Sequence, residues 1–303
     1  MQPRAHEEVR DALAEGRAVV ALETSVVAQG LPSPQNLQAA RACEAAVRAA
    51  GAVPATIAVL DGELVVGLTA SELERLADPS AKHLKIASRD LAIAVADRRT
   101  GGTTVSATCD LAARVGIHYF ATGGIGGVHR GVAEALDVSQ DLWALSKFPV
   151  AVVCAGAKSV LDLPKTLEVL ESLAVPVVGV GTHELPSFYS ARSGLQLEHA
   201  VRDAAHAARV CRARFELCQG GLVLALPPPA ASALDSAEVE GWLAAALADA
   251  QRRRVTGKDV TPFLLARLAQ MSAGRTLAAN VALLAHNAAF AGAVAVADAS
   301  LAH

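Results

Sequence analysis

FPVAVVCAGAKSVLDLPKTLEVLESLAVPVVGV (148–180) passes from an apolar run to a helical pattern and back to an apolar run. Residues 149–154 and 175–180 read as strands, and 159–173 as the helix that joins them. A strand, a crossover helix and a second buried strand are the unit of a parallel sheet. The alternation recurs outward in both directions. Strand patterns lie at 18–22, 55–60, 63–67, 117–121 and 221–226. Helical patterns lie at 5–15, 35–50, 70–77, 89–98, 105–115, 198–214, 235–253, 260–270 and 275–296. No Gly/Ser linker, charge run or repeat divides them, and LPPPAAS (226–232) is a loop. The pattern predicts an α/β fold: a single three-layer α/β/α domain over 1–303, with a mostly parallel or mixed central sheet.

Composition narrows the partners. The 303 residues are 52% hydrophobic but only 3% aromatic, with 27 basic and 30 acidic side chains and a net charge of −3. This balance gives no electrostatic drive toward nucleic acid, and few rings are left for stacking bases. The charged N-terminus shows no apolar signal core. Residues 277–297 are uncharged and long enough to span a bilayer, but they are Ala-rich and carry Asn280, His286 and Asn287. They read as a buried C-terminal helix, with no membrane partner. Cysteines 43, 109, 154, 211 and 218 show no CxxC pair or metal spacing, and read as reduced core residues of a cytoplasmic protein.

In parallel sheets ligands collect past the carboxyl ends of the strands, so polar residues that follow apolar runs are the candidates. Glu23 ends the run VVAL; desolvation there suits a general acid or base, and a capping or ion-paired glutamate is the plain alternative. In ATGGIGGVHRG (121–131) four glycines precede His129 and Arg130, a loop able to bring backbone N–H groups to an anion. Lys158 follows Cys-Ala-Gly-Ala at the predicted helix start. Both burial and the helix dipole there favour a neutral amine nucleophile, and phosphate binding is the rival role. Asp137, Ser139 and Asp141 alternate as for a hard cation, or as a helix cap and first turn. Lys85 and Arg89, with GGTTVSAT (101–108), offer cations and hydroxyls to a phosphate or a uracil-like edge. Asn280 is a polar side chain in an otherwise apolar helix and needs partners.

Taken together, ALETSVVAQGLPSPQN, LKIASRDL, GGTTVSAT, FATGGIGGVHRG, DVSQDL, VVCAGAKSVLDLPKTLE, VGTHELPSFYS, GGLVLALP and GKDVTPFLLARL resemble the pseudouridine-5′-phosphate glycosidase, or indigoidine-synthase-A-like, family. The resemblance spans about residues 7–296. It implies cleavage of the carbon–carbon glycosidic bond of pseudouridine 5′-phosphate to uracil and ribose 5-phosphate, reversibly, in pseudouridine catabolism. Carried over by position, Lys158 is the nucleophile that forms a Schiff base and Glu23 the proton donor. Lys85, Thr104, Val105, His129, Ser139, Gln140, Asp141 and Asn280 fall on substrate-binding positions. Asp137 falls on the ligand of one manganese ion per subunit, and the assembly implied is a homotrimer. Two departures stand out: Leu226-Pro227 where the family has Asn-Pro, and Val180 where an aromatic is common. A Schiff-base aldolase, a metal-dependent N-nucleosidase and a non-catalytic accessory protein of pigment biosynthesis are the alternative readings.

Overall fold

The computed structural model describes residues 1–130, 136–255 and 260–301. Residues 131 and 257–259 of the segments discussed above lie outside the described residues. In chain order the strands are β1 (Arg4–Ala5), β2 (Val19–Leu22), β3 (Val53–Leu60), β4 (Glu63–Val66), β5 (Leu84–Ile86), β6 (Gly101–Thr103), β7 (Tyr119–Ala121), β8 (Ala151–Cys154), β9 (Val177–Val180), β10 (His199–Val201) and β11 (Leu222–Ala225). The helices are α1 (Glu7–Ala14), α2 (Gln35–Ala49), α3 (Ala70–Ala77), α4 (Leu91–Ala96), α5 (Val105–Arg114), α6 (Asp141–Lys147), α7 (Leu163–Ser172), α8 (Ala204–Glu216), α9 (Ser236–Arg252), α10 (Val260–Met271) and α11 (Arg275–Leu301).

The central sheet runs β3-β2-β7-β8-β11-β9-β10, parallel throughout. Strands β2, β8 and β11 are buried along their whole length, as continuous apolar runs covered on both faces must be. Helices α2, α8 and α11 pack together on one face, and α5 with α6 on the other. The expected three-layer α/β architecture is therefore present.

The sheet is mixed because β3 serves two partners in turn. Its first half, Val53–Thr56, pairs with β2. Its second half leaves β2 and pairs antiparallel with β4 and β6, while β5 runs beside β6 and β1 beside β4. Asp61 and Gly62, both at positive φ, join β3 to β4 in a two-residue turn whose twist suits a hairpin. At the splay the Ile57 carbonyl accepts hydroxyls from Thr24 (2.6 Å) and Thr103 (2.7 Å), so no buried acceptor is left open. Gly102 has to be glycine there, since a Cβ would lie 2.4 Å from the Thr24 carbonyl oxygen.

Each predicted strand is found, with ends moved by one or two residues. Strands β1, β5, β6 and β10, of two or three residues, carry too little pattern to be predicted. Two corrections follow for helices. The segment 198–214 begins as β10 and turns helical only at Ala204, where Asp203 caps the first turn. The segment 159–173 is helical only from Leu163, capped by Asp162, so Lys158 does not stand at a helix N-terminus. The stretch 277–297 lies within α11, which packs on α2, α8 and β7 and buries Asn280, Leu284, Asn287 and Ala291. Four cysteines are buried as expected, but Cys218 is exposed, just past the end of α8.

Candidate active site

From β2 the chain crosses to β3 on one side, and later returns to lay β7 on the other. The β2/β7 junction is thus a topological switch point, where adjacent strand ends open a crevice. Glu23 leaves β2 at this point and Thr122 leaves β7. Glu23 is only 8% exposed, and its carboxylate accepts hydroxyls from Thr122 and Ser25. Strand β8 lies next along the sheet, and Ala155-Gly156-Ala157 carries the chain from it to Lys158. Lys158 is held in a turn, its N–H donating 3.1 Å to the Ile125 carbonyl beside the Ile125–Ala157 bridge. The helix dipole therefore plays no part in its setting.

The cleft has two chambers, of about 430 and 500 Å³, that share Glu23, Ser25, Lys85 and Lys158 as common wall. Lys85 stands on β5 in the concave surface, reached by solvent yet surrounded by protein. Burial, and then the like charge of Lys158, hold its ammonium below the usual lysine range. The smaller chamber is walled by Leu31, Phe188, Leu265, Leu277 and Leu284, with Asn280 the notable amide. Asn280 is 7% exposed and more than nine-tenths buried, facing this chamber from α11. Two of the chain's few aromatics, Phe188 and Tyr189, sit here edge to face with centroids 4.7 Å apart. The scarcity of rings in the sequence gave no hint of that placement.

The larger chamber is polar. Arg89, Thr104, Val105, Ser106, His129, Asp137, Ser139, Gln140 and Asp141 all reach it, so the two chambers together gather every predicted site residue. Val105 opens α5, whose first turn therefore faces the chamber. His129 Nδ1 lies 3.9 Å from Asp137, while burial disfavours the charged imidazole. Asp141 is already spoken for: its two oxygens accept the backbone N–H groups of Ser106 (2.9 Å) and Gly126 (2.8 Å). It ties the start of α5 to the glycine segment. Ser139 in turn accepts the Asp141 N–H at 3.2 Å, and Gln140 accepts that of Arg89 at 3.1 Å. Asp137, Ser139 and Asp141 thus do not converge on one cation.

The glycine segment also needs correction. Ile125 N–H goes to the Gly156 carbonyl, Gly126 N–H to Asp141 and Val128 N–H to Thr166, so most of these donors are used within the fold. The glycines are required by packing: a Cβ on Gly124 would meet Phe188 at 2.6 Å, and one on Gly126 would meet Ser139 at 2.2 Å. Sequence reasoning passed over Ser25, Thr122 and Asn287. Thr122 carries no local signal, because the carboxylate it meets lies 99 positions away; Asn287 stood out only as a polar residue in an apolar stretch, its partner lying 165 positions away. Of the two departures, Leu226 is buried with its N–H on the Cys154 carbonyl, and Val180 is a buried strand residue; neither lines the chambers.

The sequence profile described as Indigoidine synthase A like protein matches residues 8–297. A pseudouridine-5′-phosphate glycosidase of Myxococcus xanthus is 62% identical over 98% of both chains. One of Chloroflexus aurantiacus is 50% identical over 97% of both. Among solved structures, the prealnumycin C-glycosynthase AlnA in complex with ribulose 5-phosphate superposes with a TM-score of 0.91 at 39% identity, covering 100% of this chain and 98% of that one. An indigoidine synthase A-like protein of Thermotoga maritima follows with a TM-score of 0.87 at 35% identity, covering 98% and 96%. With fold, length and sequence matched from end to end, the chain belongs to the indigoidine synthase A-like protein family.

Proposed function

We propose that this protein is an enzyme of one catalytic domain that cleaves the carbon–carbon glycosidic bond of pseudouridine 5′-phosphate, giving uracil and ribose 5-phosphate reversibly. The observation that carries the reading is the shared wall: two lysines, a serine and one buried carboxylate stand between an apolar chamber and one lined by charged and hydroxyl side chains. A flat base suits the first, and a sugar phosphate the second. The relatives' names support the substrate, and a C-glycosynthase of the same fold supports chemistry at a C-glycosidic carbon.

The residues suit the difficulty of the reaction. A uracil carbon is a poor leaving group, so the sugar must become a strong electron sink. The amine of Lys158 attacks C1′ and displaces the ring oxygen, which takes the amine's proton, so the ribose opens to a secondary amine. The nitrogen lone pair then forms the C1′=N bond of a protonated Schiff base as the electron pair of the C–C bond moves to the uracil carbon, which takes a proton from Glu23. Water hydrolyses the Schiff base, releasing ribose 5-phosphate and restoring the lysine. Lys85, Thr104, Ser139, Gln140 and the first turn of α5 at Val105 face the sugar phosphate, with His129 beside Asp137. Asn280 faces the base. Asp141 contributes by holding α5 and the glycine segment together.

Among the described residues no group of three His, Cys, Asp or Glu side chains is placed to hold a metal. Asp137, partly open to the polar chamber and with His129 its one ion-pair neighbour among the described residues, fits one ligand of a hard, largely water-coordinated cation such as manganese. A cation bound there supplies orientation to water and to substrate oxygens. A homotrimeric assembly acting in the cytoplasm completes the reading; light scattering giving a monomer mass removes the first part.

The test is uracil release from pseudouridine 5′-phosphate with added manganese, beside Lys158→Ala. Release that falls at least about a thousand-fold in the variant is the expected result, removal of a covalent nucleophile being among the largest single losses known. No release from the unaltered chain under any divalent metal, or an undiminished variant, overturns the proposal.

A further inference from the structure

The carboxylate of Glu23 is held by two hydroxyls of different origin. Ser25, whose hydroxyl donates to Oε2, lies two residues along the same segment and lines both chambers. Thr122, whose hydroxyl donates to Oε1, comes from the end of the neighbouring strand and is 1% exposed. It lines neither chamber, so substrate does not reach it. Its backbone is fastened on both sides. The N–H donates to the Val153 carbonyl of β8 at 3.0 Å, and the carbonyl accepts the side-chain amide of Asn287 at 2.8 Å. Asn287 is itself fully buried on α11. Strands β7 and β8 and the C-terminal helix therefore combine to aim one buried hydroxyl at one carboxylate oxygen.

We propose that Thr122 is a positioning residue for the proton donor: it anchors Oε1 of Glu23 on the protein side, and so leaves Oε2, on the cleft side beside Ser25, as the oxygen that delivers the proton to the leaving carbon. The inference rests on the functional reading above and adds to it a residue and an oxygen. A carboxyl with both oxygens free to rotate presents the proton in several directions, and misplacement of about an ångström costs on the order of a hundred-fold in rate. Loss of the Thr122 hydroxyl therefore falls on the proton-transfer step. It does not fall on condensation of free ribose 5-phosphate with Lys158, which forms the same Schiff base and needs no proton on a carbon.

Two measurements separate these steps. One is the steady-state rate of uracil release from pseudouridine 5′-phosphate. The other is borohydride trapping of ribose 5-phosphate on Lys158. For Thr122→Val, which keeps the shape and removes the hydroxyl, kcat falls about ten- to a hundred-fold while KM moves less than about three-fold. Trapping stays at the wild-type extent, and Thr122→Ser recovers most of the lost rate. Thr122→Cys, a weak donor of similar size, reads the same comparison should the valine chain not fold. A fully active valine variant overturns the assignment, as does parallel loss of release and trapping that serine does not restore. No release from the unaltered chain overturns the functional reading and this assignment with it. Release from the unaltered chain beside an unimpaired valine variant overturns the assignment alone.

Discussion

The two chambers differ in how they can recognise a ligand, although they share the same reactive wall. The larger presents Lys85, Arg89, His129 and the first turn of α5, which Asp141 ties to the glycine segment. The smaller presents leucines, two packed aromatics and Asn280. A site built from hydrogen-bond donors rejects a ligand lacking the matching oxygens by large factors, because its buried groups are left unpaired. An apolar wall discriminates by only about ten- to two-hundred-fold per methylene. Under the proposed function, selectivity should therefore be strict for the phosphorylated sugar and looser for the ring, with Glu23 and Lys158 at the boundary of the two chambers.

The largest effect cuts the two halves apart. In Glu23→Gln the sugar side keeps its nucleophile but the base side loses its proton. Uracil release should fall at least about a thousand-fold, while borohydride still traps ribose 5-phosphate on Lys158. Equal loss of both would mean that Glu23 serves the lysine rather than the leaving carbon.

Next come the two glycines that support one chamber each. In Gly126→Ala the new methyl meets Ser139 at 2.2 Å and Asp141 at 2.7 Å, so the polar chamber has to deform. In Gly124→Ala it meets the ring of Phe188 at 2.6 Å, so the apolar chamber does. Each overpacking is expected to cost about 1–3 kcal/mol of stability by thermal unfolding. The binding consequences separate. Ribose 5-phosphate trapping should weaken about ten-fold or more in Gly126→Ala alone, and inhibition by uracil chiefly in Gly124→Ala. Identical profiles for the two variants would show that the chambers behave as a single cavity.

A smaller effect is expected at Asn280. Replacement by Leu removes the notable amide of the apolar chamber and keeps its bulk. KM for the C-nucleotide should rise about ten-fold, the worth of roughly one hydrogen bond at 1.4 kcal/mol, with trapping of ribose 5-phosphate unchanged. A shift in trapping would place Asn280 on the sugar instead.

How much of this was legible beforehand depends on the distance over which each residue acts. The strands around Lys158 and Glu23 are continuous apolar runs, so their existence and the place of the polar residues at their carboxyl ends could be read locally. The start of α7 could not, because the turn at Lys158 is set by Ile125 on another segment, and only the Asp162 cap marks the true start. Strand β5 holds Lys85 through three residues paired with Gly101–Thr103, a register that no periodicity in so short a run announces. The glycine segment looked like an anion cradle because glycine freedom serves binding and close packing alike. Only the positions of Phe188, Ser139 and Thr166 distinguish the two. Motif resemblance reached the proposed nucleophile and proton donor but not their supports: Thr122 sits inside a recognised motif, yet the carboxylate that it holds lies on a different strand.

The smallest expected effect uses the charge of Lys85 to test which chamber takes the phosphate. Burial and the neighbouring Lys158 hold its ammonium below the ordinary value of about 10.4. In the window between the lowered and the ordinary value, the folded chain carries Lys85 neutral while the unfolded chain still binds its proton. Folding stability from this residue therefore rises with pH across that window. Phosphate affinity runs the other way, since only the ammonium attracts an anion. KM for the phosphorylated substrate should climb as pH rises through the lowered value, below the range where an ordinary lysine would titrate. The change should be a few-fold to about ten-fold, as for one charge-assisted hydrogen bond. Lys85→Arg keeps its charge across the whole range and should flatten that climb. A KM that climbs identically in the arginine variant would assign the titration to another group, and would leave the phosphate to Arg89 and the first turn of α5.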